Sequence, residues 1–267
     1  MDKQLNIKEL RNGLYLLDEA GESTGYLLIG NDKACLIDTM NGYNNLKEVV
    51  RKYTDKPLVV VNTHGHPDHI FGNVYFDKSY MNMKDLDLAR AFIEDVETVK
   101  WFKKENLSMP PFENIKEGDI IDLGGKTLEI YEIPGHTLGG ILLLCPEERI
   151  LFTGDSINHH CWMQLDGCLS IEEYIKSVEK IVFLEEKADL LLHGHAKCFD
   201  DISLISAMLE GLKEICAGKR DDDTHYEYFG GEAHAMYHPF KVQDGKEFGQ
   251  EDHGICYQPD NIFIKNP

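Results

Sequence analysis

The segment NTHGHPDHIFG, residues 62–72, sets three imidazoles and a carboxylate, His64, His66, Asp68 and His69, within six consecutive positions. Neutral imidazole nitrogens and a carboxylate are the donor set of Zn²⁺, Mn²⁺ or Fe²⁺, whereas Ca²⁺ prefers a shell of oxygens alone. In a tight loop His64 and His66 point toward one side while Asp68 and His69 reach a second point nearby, so one loop can serve two adjacent cations. Two divalent ions about 3.5–4 Å apart can share a water, lower its pKa until hydroxide is available near neutrality, and polarise the oxygen of an electrophile. That chemistry is hydrolysis without a serine or cysteine nucleophile. Cys161 and Cys168 offer thiols, but no activating base adjoins them by spacing, and they read as idle or buried.

A ligand cluster needs a scaffold, and this one directly follows the apolar run 58–61. Short runs of strand character occur at 13–17, 26–29, 34–37 and 58–62. Residues 83–103 carry Leu86, Ala89, Ile93 and Val96 at helical spacing, with Asn82 as the cap and Asp85 three positions later; Pro110-Pro111 ends that region. Residues 119–157 return to strand patterns, turning at Gly124-Gly125 and Gly139-Gly140. Ser170 and Glu173 have the spacing of a capping box and open a second helix carrying Ile171, Tyr174, Ile175, Val178 and Val182. A strand over 190–192 and a helix over 202–217 follow, so strands and helices alternate in two successive blocks. The tail, 221–267, is rich in Gly, His, Tyr and acidic residues and poor in helical periodicity. It reads as an extension packed on the domain formed by 1–220, or on a homodimer partner, with the acidic run 221–223 as a solvated turn.

Composition narrows the function. A chain of 267 residues can bury the core of one sizeable domain. Its 47 acidic and 27 basic side chains give a net charge of −20, which repels polyanions and argues against nucleic-acid or anionic-membrane partners. The seven cysteines form no CxxC pair, and the chain opens MDKQLNIKEL without an apolar signal-peptide core, so free thiols in a reducing cytoplasm are expected. No apolar stretch reaches the length of a membrane span.

His64-Gly-His66-Pro-Asp68-His69 resembles the His-x-His-x-Asp-His signature of the metallo-β-lactamase superfamily. The remaining motifs of that family follow in order, each after an apolar run: IPGHTLGG supplies His136, LFTGDSI supplies Asp155 and LLLHGHAKC supplies His195. CLIDTM matches the family's early strand that ends in an acid, and places Asp38 as a support behind the metal loop. The resemblance covers roughly residues 13–217. It implies an α/β fold, an αββα sandwich of two mixed β-sheets flanked by helices, with two divalent metal ions at one edge. Zinc is the foremost choice, with manganese or iron as alternatives. By the same resemblance His64, His66 and His136 hold the first metal, Asp68, His69 and His195 the second, and Asp155 bridges them, while Asp68 also orients a metal-bridging hydroxide. His193, in a second His-Gly-His, is the rival to His195 and otherwise a hydrogen-bonded support.

Departures from individual branches direct the choice of substrate. True β-lactamases of the family usually carry Cys or Ser where Asp155 stands, so the glyoxalase II, lactonase and phosphodiesterase branches fit better. The oxygen-reducing diiron members replace the second histidine of the motif with Glu and add a flavodoxin domain, and the nucleases add a basic clamp; neither pattern occurs here. Hydrolysis of a small ester-like bond, thioester, lactone or phosphodiester, is the expectation. A mononuclear iron persulfide dioxygenase and a non-catalytic metal-binding protein stand as alternatives. Substrate contacts are expected from loops that roof the metals: MNGYNN with Tyr43, NHHCWMQLDG with His159, His160 and Trp162, and THYEYFGGEAHAMYH in the tail. His225, His234, His238 and His253 read as surface or packing residues.

Overall fold

A computed structural model describes residues 4–227, 234–242 and 252–265. Seven strands lie side by side in chain order: Leu5–Arg11 (β1), Leu14–Glu19 (β2), Ser23–Ile29 (β3), Ala34–Ile37 (β4), Leu58–Val61 (β5), Ser79–Met81 (β6) and Phe112–Asn114 (β7). The first four form an antiparallel meander, and β4 to β7 run parallel. A second mixed sheet contains Ile120–Asp122 (β8), Thr127–Glu132 (β9), Ile141–Cys145 (β10), Ile150–Gly154 (β11), Leu190–His193 (β13) and Asp200–Asp201 (β14), in the order β14-β13-β11-β10-β9-β8. A third, smaller sheet joins His160–Met163 (β12) to three tail strands, Thr224–Tyr226 (β15), Ala235–Pro239 (β16) and Gly254–Tyr257 (β17).

Strand alternation builds the layers. Cys35, Ile37 and Val61 of the first sheet meet Ile141, Leu143, Ile150 and Phe152 of the second in one core between the sheets. The intervening residues turn outward. Leu27, Leu36 and Val60 pack with Leu46 and Val50 of helix Leu46–Val50 (α1). Leu142, Leu144 and Leu151 pack under helices Ile171–Ile181 (α5) and Leu204–Cys216 (α6). With Pro67–Ile70 (α2), Leu86–Ile93 (α3) and Val96–Glu105 (α4), this is an αββα sandwich. Both faces of the central strands are buried, which is why they read as continuous apolar runs.

Sequence and structure differ in four places. The single helix over 83–103 is two helices, because Asp95 takes an extended ψ of 144° and its carboxylate accepts Glu97 N at 2.9 Å, starting α4 anew. Val96 is thereby 63% exposed instead of core-facing. Asn82 does cap its turn, accepting Lys84 N, but Asp85 does not reach back to it. The run 221–223 is not wholly solvated: the Asp223 side chain is turned inward, 2% exposed, and accepts His238 Nδ1 at 2.6 Å and Tyr257 Oη at 2.5 Å. Strand β1 lies outside the runs of strand character because the edge sequence LNIKELR is mostly polar. Ser170 and Glu173 form the capping box, with both reciprocal bonds present. Among the described residues no helix is long and apolar enough to cross a membrane.

Candidate metal centre

All the predicted ligands follow strand ends or precede a strand start at one edge of the sandwich. Strand β5 leads to His64 and His66, α2 carries Asp68 and His69, β11 leads to Asp155, β13 leads to His195, and His136 lies in the loop entering β10. Backbone bonds lock the two sheets together beside them: Ile141 N donates to Thr63 O at 2.9 Å and Thr24 N to Gly194 O at 2.7 Å. Glycine is required at 194, where a Cβ would overlap Asp155 Oδ1 and the His69 ring.

The donors form two groups. His64 Nε2 and His136 Nε2 each lie 3.0 Å from His66 Nδ1. Asp68 Oδ2 lies 3.4 Å from His69 Nε2 and 3.6 Å from His195 Nε2. Asp155 stands between the groups: its Oδ2 is 3.1 Å from His195 and 3.9 Å from His136, and its Oδ1 is 3.6 Å from His69. Hydrogen bonds on the far side of three rings settle where their protons sit. His136 Nδ1 donates to Trp162 O at 2.7 Å, and His69 Nδ1 donates to Asp38 Oδ2 at 2.9 Å. Thr63 spends its hydroxyl proton on Asp38 Oδ2 at 2.8 Å, so at 3.1 Å its oxygen accepts from His64 Nδ1. In its neutral form each of these rings therefore turns a bare Nε2 lone pair inward.

Burial and charge complete that arrangement. Burial drives His64 and His136 below the ordinary histidine range and His66 down to about 3, so the first group is three neutral imidazoles. Burial alone would lower His69 and His195 as well, but neighbouring carboxylates, Asp68 and Asp155 foremost, raise both. Burial would raise Asp68 and Asp155. Instead His69 and His195 bring Asp68 down to about 2 and hold Asp155 well below the usual carboxylate range.

Two further carboxylates brace the loops. Asp38, held at a left-handed φ of 59°, accepts Thr63 N at 2.7 Å in addition to Thr63 Oγ1 and His69. Asp85 accepts Gly65 N at 2.9 Å, Thr137 Oγ1 at 2.7 Å and Gly139 N at 2.5 Å. Sequence reasoning missed the second role, because nothing in the spacing of Asp85 separates a helix-start acid from one turned into the site.

The structure sorts the remaining candidates. His195, not His193, meets Asp155; His193 is buried, 3.3 Å from Asp200 Oδ2, and its Nδ1 accepts His195 N at 3.2 Å. Trp162 lines the centre, its ring 5.0 Å from that of His195. His160 is half-buried beside it, and Tyr226 Oη lies 3.0 Å from His160 Nε2 and 3.2 Å from Trp162 Nε1. The expectation for His159 is corrected: it is fully buried, with Nε2 2.8 Å from Asp200 Oδ1, and cannot touch a substrate. Tyr43 is exposed and donates to Glu22 Oε2 at 3.0 Å. Phe92, also unforeseen, is exposed with its ring 6.1 Å from that of His66, and Leu138, two residues from His136, is exposed as well. Of the tail stretch 224–238, residues 228–233 lie outside the described residues. Burial raises Cys161 strongly and Cys168 to about 12, so both stay protonated thiols.

The sandwich with this edge site defines a class: the chain belongs to the metallo-β-lactamase superfamily, whose model matches residues 19–195. Among curated proteins it is similar to acyl-coenzyme A thioesterase MBLAC2 of Bos taurus, 26% identical over 72% of this chain and 81% of that one. It is also similar to hydroxyacylglutathione hydrolase of Wigglesworthia glossinidia brevipalpis, 29% identical over 64% of this chain and 60% of the relative. Among solved structures, a metallo-β-lactamase from Pontibacter korlensis shares the fold with a TM-score of 0.56 at 19% identity, covering 79% of this chain and 99% of that one. Divalent metals are typical of the superfamily, and the residues here fit them. His69 Nε2 and Asp155 Oδ1 are buried without a hydrogen-bond partner, as ligand atoms facing a cation would be.

Proposed function

We propose that this superfamily hydrolase cleaves thioesters at a dinuclear centre, with zinc in both positions. The observation that carries the reading is Asp155, whose two oxygens face donors of both groups. The choice of a thioester over a lactone or phosphodiester is supported by the relatives named as an acyl-coenzyme A thioesterase and a hydroxyacylglutathione hydrolase. When bound, such a metal pair lowers the pKa of water and polarises the carbonyl under attack. The chain supplies the rest. Asp68 is ionised and its side chain is 29% exposed, so it can accept a proton from the attacking water and return it to the departing thiolate as the C–S bond breaks. Trp162, His160 and Tyr226 form an aromatic wall with polar tips beside His195, and Phe92 offers an exposed apolar ring beside His66. Cys161 and Cys168, both protonated, offer no thiolate to form an acyl-enzyme.

Metal analysis of protein purified without chelator tests this. Two zinc ions per chain support it, and a single iron with oxygen consumption on persulfides would replace it with a dioxygenase. Proton release tests it further. The carboxylates around His69 and His195 raise both above the ordinary histidine range, whereas burial lowers His64, His66 and His136, so in the metal-free protein the second group holds protons more readily than the first. A cation at the second position therefore competes with protons at higher pH than one at the first, and its affinity falls more steeply with acid. Calorimetric titration with zinc in buffers of different ionisation enthalpy is expected to show more protons released by the second-group ion; equal release would contradict the assignment. Trp162→Ala is expected to raise KM roughly 3- to 10-fold, the scale of a lost aromatic contact, at unchanged zinc content. Unchanged KM across a thioester series would remove Trp162 from the wall.

A further inference from the structure

Three buried carboxylates stand behind the centre, and two of them divide its loops. Asp85 bonds Gly65, which lies between His64 and His66, and Thr137 and Gly139, which follow His136; these loops carry the three-imidazole group. Asp200, on β14 beside β13, reaches His159, four residues beyond Asp155, and His193, two before His195; those loops carry Asp155 and His195. We propose that Asp85 and Asp200 are positioning residues, each setting the affinity of a different one of the two cation positions. The inference rests on the two-position reading above.

The physical basis is the placement of ligands on separate loops. His64 Nε2 and His136 Nε2 both lie 3.0 Å from His66 Nδ1 only if the 64–66 and 136–139 loops keep a fixed spacing, and Asp85 is bonded to both loops. On the other side His195 N donates to His193 Nδ1, so the ring proton of neutral His193 sits on Nε2, facing Asp200 Oδ2 at 3.3 Å. The same carboxylate lies 2.8 Å from His159 Nε2, and His159 Nδ1 is 2.5 Å from His253 Nδ1 in the tail. His159, His193 and Asp200 sit close enough together to invite a third cation, but the Asp200 carboxylate already lies within ion-pair reach of both rings. The cluster is a brace, and it ties the tail to the second group.

The test compares Asp85→Asn and Asp200→Asn, which keep side-chain size and remove the charge. Metal-free protein is reloaded with zinc, dissociation constants are measured by competition with a chromophoric chelator, and anomalous diffraction at limiting zinc shows which position is filled. Asp85→Asn is expected to weaken the His64, His66 and His136 position about 10- to 100-fold, the usual cost of losing a partner behind a ligand, and to leave the other nearly unchanged. Asp200→Asn is expected to do the reverse. Thr137→Val and His159→Gln each remove one contact to the same carboxylates and should shift the same positions by less, which keeps the test available if an Asn variant folds poorly. Equal weakening of both positions, or of neither, would overturn the proposal, as would loss of a third zinc equivalent in Asp200→Asn. A wild-type chain that binds one zinc would instead overturn the two-position reading itself.

Discussion

Asp155→Ser is expected to lose both zinc ions together, each affinity falling by more than the roughly 100-fold that marks the upper range for a partner outside the coordination sphere. Asp155 is 4% exposed, and its oxygens lie 3.1 Å from His195 and 3.6 Å from His69 on one side and 3.9 Å from His136 on the other. A carboxylate between two cations belongs to both and offsets their repulsion, and a serine hydroxyl does neither at neutral pH. Titration with zinc under chelator competition reads the effect. Loss of one ion with the other held as tightly as in wild type would contradict a shared ligand.

Asp68→Ala is expected to lower kcat about 10²- to 10⁴-fold, the range of a positioned acid and base, while the protein stays folded. Asp68 lies in α2 at the rim and takes no part in the cores, which are built from strand residues such as Ile37, Val61 and Phe152. The His64, His66 and His136 position should keep its zinc, since Asp68 contacts only the second group, through His69 and His195. Rate measurements with circular dichroism and zinc analysis on the same preparation decide it. Wild-type turnover in Asp68→Ala would remove the residue from the chemistry.

How much of this was legible in the sequence follows from how local each feature is. The ligand motifs were legible because each occupies a few consecutive residues beside an apolar strand, and the strands end at one edge. The pair His159 and His160 was not. Neighbouring positions entering a strand point to opposite faces, so the string NHHCW cannot say that His160 faces Tyr226 while His159 turns inward to Asp200. Asp85 was invisible for a related reason: its three partners lie 20, 52 and 54 residues away, and only the packing of α3 against the ligand loops brings them together. Tyr226 could be suspected only as part of an aromatic-rich tail, since its place beside Trp162 depends on β17 pairing with β12 and on the order of the tail strands beyond it.

The most direct measurement is thiol release from a panel of acyl-coenzyme A and acyl-glutathione thioesters by zinc-loaded wild-type protein, run beside lactones, phosphodiesters and β-lactams. The expected result is release on at least one thioester series, abolished by chelation, restored by zinc and lost in Asp68→Ala. Zinc-dependent turnover of a lactone or phosphodiester with no thiol release from any thioester would contradict the assignment.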